Sequence, residues 1–200
     1  MTPAGVTEAK AALRRQMAKL PRPDWTPMLR AFLALPELET ARTVLLFYGV
    51  EKEPDTRDLI AELLRRGKTV ALPRCLPARR MEARAVTDLD KLRPGAYGIL
   101  EPGEDCPVVE RDQIDLILTP NLCCDRLGYR LGHGAGYYDR YLTGYAGITV
   151  ALCPEEWLRE ELPRDEFDLP VELVLTETRV RRGAKAPRHI PEESAAKLSS

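Results

Sequence analysis

The chain has 200 residues, 44% hydrophobic and 30% charged, with a formal net charge of −1. That is enough for one globular unit with a sizeable core, and it excludes bulk electrostatic attraction to nucleic acid or acidic membranes. No apolar run reaches the length of a membrane span and the first residues lack a signal-type apolar core. Five cysteines and two histidines, with no C-x-x-C, are too few and too badly spaced for a zinc site. A reduced, cytoplasmic monomer without nucleic-acid or membrane partners is the expectation.

Residues 4–20 read as a helix capped by Thr7, with Ala9, Leu13, Met17 and Leu20 as its apolar stripe. Lys10 and Arg14 lie one turn apart, either as a solvated basic face or as a pair that grips one anion. After Pro21, Pro23 and Pro27 a second helix is expected over 28–35. The apolar run 43–48 suits a buried parallel strand. Residues 57–66 form a helix capped by Asp55 or Thr56 and ended by Gly67, and 69–73 form the next strand, completing a βαβ unit. Ligands of such sheets sit beyond the strands' carboxyl ends. The loop holding Glu51, Lys52 and Glu53, and Arg74 at the following strand end, are therefore candidates. A strand over 81–86, a turn-rich loop over 92–102 with Tyr97 free to stack or to pack, and strands over 114–119, 147–152 and 173–176 complete the pattern. From Arg179 onward the chain is polar and aperiodic and is expected to be a disordered tail, leaving 1–178 as a single domain.

The most informative stretch is Arg130-Leu131-Gly132-His133-Gly134-Ala135-Gly136-Tyr137-Tyr138-Asp139-Arg140. Three glycines at spacing two, followed by a helix start, suggest a tight loop with exposed N–H groups suited to phosphate. Arg130 offers a planar fork of donors, and Asp139 is placed to hold the Mg²⁺ that accompanies a nucleotide. The stretch is neither a P-loop nor G-x-G-x-x-G, since Tyr137 fills the last position. On composition alone, a phosphate loop and a structural turn remain equally open.

This stretch resembles the signature of 5-formyltetrahydrofolate cyclo-ligases, and the resemblance extends over residues 8–178. It implies an α/β fold, a three-layer α/β/α sandwich around a mostly parallel open sheet (NagB/RpiA/CoA transferase-like). The implied reaction is ATP- and Mg²⁺-dependent closure of 5-formyltetrahydrofolate to 5,10-methenyltetrahydrofolate, with release of ADP and phosphate and no protein nucleophile. Carried onto this chain, Lys10, Arg14, Arg130, Gly132, His133, Gly134, Ala135, Gly136, Tyr137 and Tyr138 would bind ATP. Tyr48, Glu53, Arg74, Tyr97 and Tyr137 would bind the folate, and Asp139 and Asp168 the metal. Glu53 is singled out because Glu53-Pro54-Asp55-Thr56 matches the family's Glu-x-Asp/Glu-Thr. His133, Ala135, Asn121 and Glu172 depart from the family pattern. Those departures keep open a relative that binds nucleotide or folate without turnover, or one that acts on another substrate.

Overall fold

The computed structural model describes residues 2–184. Helix α1 (Pro3–Ala18) starts within one residue of the expected range but with a different cap: the hydroxyl of Thr2 accepts from Gly5 N at 3.3 Å and Pro3 occupies the first turn. Thr7 is therefore inside the helix, where its hydroxyl donates to Pro3 O. The helix expected over 28–35 is α2 (Thr26–Leu33), and a further short helix, α3 (Pro36–Thr40), follows it, divided from α2 before Pro36, which cannot continue a helix. Met28, Phe32 and Leu38 are their fully buried contacts.

The remaining elements follow in order. They are β1 (Thr43–Leu45), α4 (Arg57–Arg65), β2 (Thr69–Leu76), β3 (Arg80–Val86), β4 (Leu92–Pro94), β5 (Leu100–Pro102), β6 (Val108–Val109) and β7 (Leu116–Thr119). The series ends with β8 (Cys123–Cys124), β9 (Arg130–Leu131), α5 (Tyr137–Leu142), β10 (Ile148–Leu152), β11 (Leu173–Leu175) and β12 (Val180–Arg182). Eight strands make one sheet in the order β12-β11-β10-β7-β1-β2-β3-β6. The five from β11 to β2 run parallel, while β12, β3 and β6 pair antiparallel at the two sides. Within β1 and β2 the register Thr43↔Thr69, Val44↔Val70 and Leu45↔Ala71 matches the faces of both strands.

Two sequence expectations change here. The turn-rich loop over 92–102 contains the β4–β5 hairpin. The polar segment after Arg179 contains β12, which covers the edge of β11; Arg182 there pairs with Glu37 and Arg179 with Glu155. The rest of the expected tail, 185–200, lies outside the described residues.

Period-two alternation splits the core between two faces. Val44, Leu46, Leu116, Leu118, Val150 and Leu152 pack with residues of α1 to α4 on one side. Leu45, Ala71 and Ile117 pack with Leu142 and the tyrosines of α5 on the other. The layers are thus present but unequal, four helices against one. The imbalance follows from connectivity. From β1 the chain crosses through α4 to β2 on one side, and from β7 it crosses through α5 to β10 on the other. Right-handed crossovers in opposite directions place their helices on opposite faces. Between β1 and β7 the strand order reverses, and a crevice opens at their carboxyl ends.

The loop after β1 closes tightly over this crevice. The buried hydroxyl of Thr56 donates to Phe47 O at 2.6 Å and accepts from Gly49 N at 3.1 Å. This, rather than a helix cap, is the function of Thr56, while Asp55 accepts from Arg57 N. A Cβ on Gly49 would lie 1.8 Å from Pro54 O. Gly49→Ala should accordingly destabilise the protein by about 2 kcal/mol or more in a urea titration, since two backbone segments must part. An unchanged midpoint would show that the loop adapts freely.

Candidate active site

At the crevice lies a cleft of about 870 Å³, within the usual range of small-molecule sites. Its walls bring together Lys10 and Arg14 of α1, Tyr48 and Glu53 from the loop after β1, Tyr97 from the β4–β5 hairpin, Arg130, residues 132–139, and Asp168. Of the ATP-, folate- and metal-binding residues that the resemblance implies, only Arg74 is not in this wall; Lys52, a candidate from its loop, is also outside it and donates to Ala18 O and Leu20 O. Arg74 lies on β2 between Pro73 and Cys75, both of which face the cleft, so alternation turns it away. Its guanidinium pairs with Glu104 at 2.8 Å instead.

The glycine loop is fastened by its carbonyls. Arg14 Nε donates to Gly132 O at 2.9 Å, and Arg140 Nη1 donates to both Ala135 O and Gly136 O at 3.0 Å. Gly134 has φ +107, and a Cβ there would meet the Arg14 guanidinium at 3.1 Å; Gly136 has φ +72. Both positions need glycine for backbone conformation and for the close approach of an arginine. The amides are treated differently. Among the described residues, no N–H from Gly132 to Gly136 donates to a protein acceptor. A loop with its carbonyls spent and its amides free is suited to an oxyanion.

Arg130 stands beside this loop with its side chain only 3% exposed, donating to Asp139 Oδ1 at 3.1 Å. It lies 5.6 Å from the ring centre of Tyr138, and its Nε has no partner. The hydroxyl of Tyr138 is also buried without a partner, and burial pushes it far above the usual phenol range. Two orphaned donors in one wall are costly unless something else satisfies them. Asp125 braces the turn that leads into Arg130. Fully buried, it accepts from Leu127 N and Tyr129 N at 2.9 Å and from Leu162 N at 3.1 Å. It thereby ties the β8–β9 hairpin to the segment that carries Asp165 and Asp168.

Lys10 reaches across the cleft to Asp168 Oδ2 at 2.5 Å and Asp165 Oδ2 at 2.8 Å. Burial alone would lower its pKa, but the hydrogen bonds it donates to these two carboxylates, with their charge, together raise it. On Asp168 burial prevails and its carboxyl rises; on Asp165, where burial also acts upward, Lys10 and Phe167 N hold it below the usual range. On the opposite wall Glu53 is nearly buried. Its Oε2 accepts from Val50 N at 3.1 Å, and its Oε1 lies 3.1 Å from His133 Nε2. The loop carrying it is anchored by Trp25 Nε1 on Lys52 O at 2.8 Å and by Arg22 on Glu53 O at 3.3 Å. Tyr97, 75% exposed at the cleft mouth with φ +58, meets Tyr137 edge to face at 6.4 Å.

Sequence reasoning missed three contributors: Asp165, the second partner of Lys10; Arg140, which braces the loop; and Glu101, a buried carboxylate in the wall that accepts from Cys75 N at 3.1 Å. Asp165 is three residues before Asp168, which is the only sequence hint it offers. Asn121, a departure from the family pattern, is buried and donates to Leu152 O, a bond internal to the sheet ends. As to metal, Asp139 and Asp168 put hard oxygen donors on the cleft wall, which fits Mg²⁺. Among the described residues no group of three or more His, Cys, Asp or Glu gathers around one point. Such an ion would complete its shell with water and ligand oxygens.

A model of the 5-formyltetrahydrofolate cyclo-ligase family matches residues 7–177. The chain belongs to that family. It is 33% identical over 192 residues to 5-formyltetrahydrofolate cyclo-ligase of Mycolicibacterium smegmatis, covering 90% of this chain and 97% of the relative. It is 33% identical over 154 residues to the Escherichia coli K12 cyclo-ligase, covering 74% and 85%. Among solved structures, the Aquifex aeolicus 5,10-methenyltetrahydrofolate synthetase superposes with a TM-score of 0.77 at 30% identity, over 93% of this chain and 96% of that one. The α/β fold with its mostly parallel sheet is therefore the cyclo-ligase fold.

Within this cyclo-ligase cleft, Asp139 is the partner of a nearly buried Arg130, which makes it more than a loop carboxylate. Asp139→Ala should lower stability by about 1–3 kcal/mol in chemical denaturation, because it strands that guanidinium. An unchanged denaturation curve would show that Arg130 finds another acceptor.

Proposed function

We propose that this protein catalyses the ATP-dependent closure of 5-formyltetrahydrofolate to 5,10-methenyltetrahydrofolate. The observation that carries the reading is a single cleft with an oxyanion end and a carboxylate end. The free amides of the glycine loop, with Arg130 and Lys10 nearby, form the first; Glu53 forms the second. A triphosphate is suited to the first end. A pterin ring, whose amino and ring N–H groups are donors, is suited to the second.

On this reading the formyl oxygen attacks the γ-phosphorus and ADP leaves. N10 then bonds to the formyl carbon and gives up its proton, the C–O bond breaks, and phosphate departs with the formyl oxygen and that proton. An amide-type oxygen leaves poorly, and the phosphoryl group corrects that. The protein supplies position and charge. Arg14 and Arg140 hold the loop in shape from its carbonyl side, so its N–H groups meet the phosphates without rearrangement. Lys10 and Arg130 move from their carboxylates to phosphate oxygens as negative charge arrives. Asp168 and Asp139, released together, would hold Mg²⁺, which when bound neutralises the phosphates. Glu53 and Tyr48 orient the folate, and Tyr97 with Tyr137 covers the mouth of the cleft.

Mixing the protein with Mg·ATP and 5-formyltetrahydrofolate should produce methenyl absorbance and ADP in equal amounts. Ligand binding with neither product would point to a non-catalytic relative, and ATP turnover stimulated by a different compound to a shifted substrate. Glu53→Gln should raise the folate KM by roughly 10- to 100-fold, the value of a hydrogen bond to a charged group, while leaving ATP binding in place. Loss of ATP binding instead would mean that the two ends have been assigned the wrong way round.

A further inference from the structure

Among the described residues, the one side-chain hydrogen bond between the glycine loop and Glu53 is His133 Nε2 to Glu53 Oε1. It joins the glycine loop to the loop after β1. Both oxygens of Glu53 are thus occupied, one by His133 and one by Val50 N. The two partners differ in freedom. Glu53 has a side chain only 10% exposed on an anchored loop, whereas His133 is 58% exposed and lies between Gly132 and Gly134. The histidine is the member that can move, and the free amides beside it are where an anion would come to rest.

We propose that the His133–Glu53 contact is a latch: it withholds the Glu53 carboxylate from folate, and bound nucleotide opens it by offering His133 a phosphate. This inference rests on the function proposed above. Each substrate alone must break the contact, and the second to arrive finds it broken, so the two bind cooperatively. The charged groups facing His133 are Glu53 and Glu51 from the loop after β1 and Arg14 from α1. The hydrogen bond to Glu53 raises its pKa above the ordinary histidine value; burial and Arg14 oppose this without cancelling it. The sign follows directly. The charge-assisted latch is complete below the ordinary histidine value and is lost as pH rises through the raised one.

The test is calorimetric titration of 5-formyltetrahydrofolate, with and without magnesium and adenylyl imidodiphosphate, into wild type, His133→Ala and His133→Gln. In wild type the nucleotide should tighten folate binding at least about fivefold. In His133→Ala, folate alone should bind more tightly than in wild type, and the nucleotide should add little. Between about pH 6 and about pH 9 the nucleotide-free folate affinity should rise in wild type and stay level in His133→Gln, which can donate but not titrate. Absence of coupling in wild type, or folate binding in His133→Ala no tighter than in wild type, would overturn the latch while leaving the proposed activity standing. Failure of wild type to bind folate at all would overturn both.

Discussion

Among the described residues, every lysine, arginine and histidine side chain lining this cleft is already held by the protein. Lys10 rests on Asp165 and Asp168, Arg130 on Asp139 and His133 on Glu53, while Arg14 and Arg140 are committed to backbone carbonyls. The constraint is electrostatic. A guanidinium as buried as that of Arg130 is very costly without a counter-charge, and the same holds for carboxylates such as Glu53 and Asp168. The fold meets it by placing opposite charges on different elements that converge at the strand ends. α1 carries Lys10, the segment after β10 carries its acids, β9 carries Arg130 and α5 carries Asp139. The sheet order, the reversal between β1 and β7 and the anchoring by Asp125 all act to bring those elements within hydrogen-bond reach of one another.

Such a set of internal pairs is closed and still exchangeable. A polyanion that arrives with a dication brings both charges the set needs, so on the proposed reading Lys10, Arg130, Asp139 and Asp168 change partner and none is left bare. Uncompensated ligands would do worse. An anion alone would strand the aspartates, and a metal alone would strand Lys10 and Arg130. Selectivity for the combined ligand then follows from burial, because stranding is expensive only where water is scarce. The amides of Gly132 to Gly136 add shape to this, fixed from behind by two arginines.

Much of this was legible in the sequence wherever the signal was local. The apolar run at Val44–Leu46, the amphipathic pattern of Leu59, Ile60 and Leu63 and the positive-φ glycine after them marked β1, α4 and β2. Gly132, Gly134 and Gly136 were readable because glycine at that spacing has few uses. Non-local relations were not. β12 looked like tail because its stability comes from pairing with β11 and from ions on distant elements rather than from its own residues. Arg74 looked like a site residue because the strand was expected to end at 73; β2 runs on to Leu76, and the face that Arg74 presents inside it depends on register. Asp165 carried no pattern of its own, and its place beside Lys10 depends on a separation of 155 residues. The cap of α1 was misread because Thr7 and Thr2 are chemically alike, and only the position of Pro3 separates them.

The central claim is that ligand charge replaces internal charge pairs. A crystal structure with magnesium and adenylyl imidodiphosphate tests it most directly, through two distances. The account predicts that Lys10 Nζ and Arg130 Nη2 leave Asp168 and Asp139 and come within hydrogen-bond range of phosphate oxygens, with the glycine-loop amides beside them. Nucleotide bound in the cleft with both pairs still at their present 2.5 Å and 3.1 Å separations would contradict it.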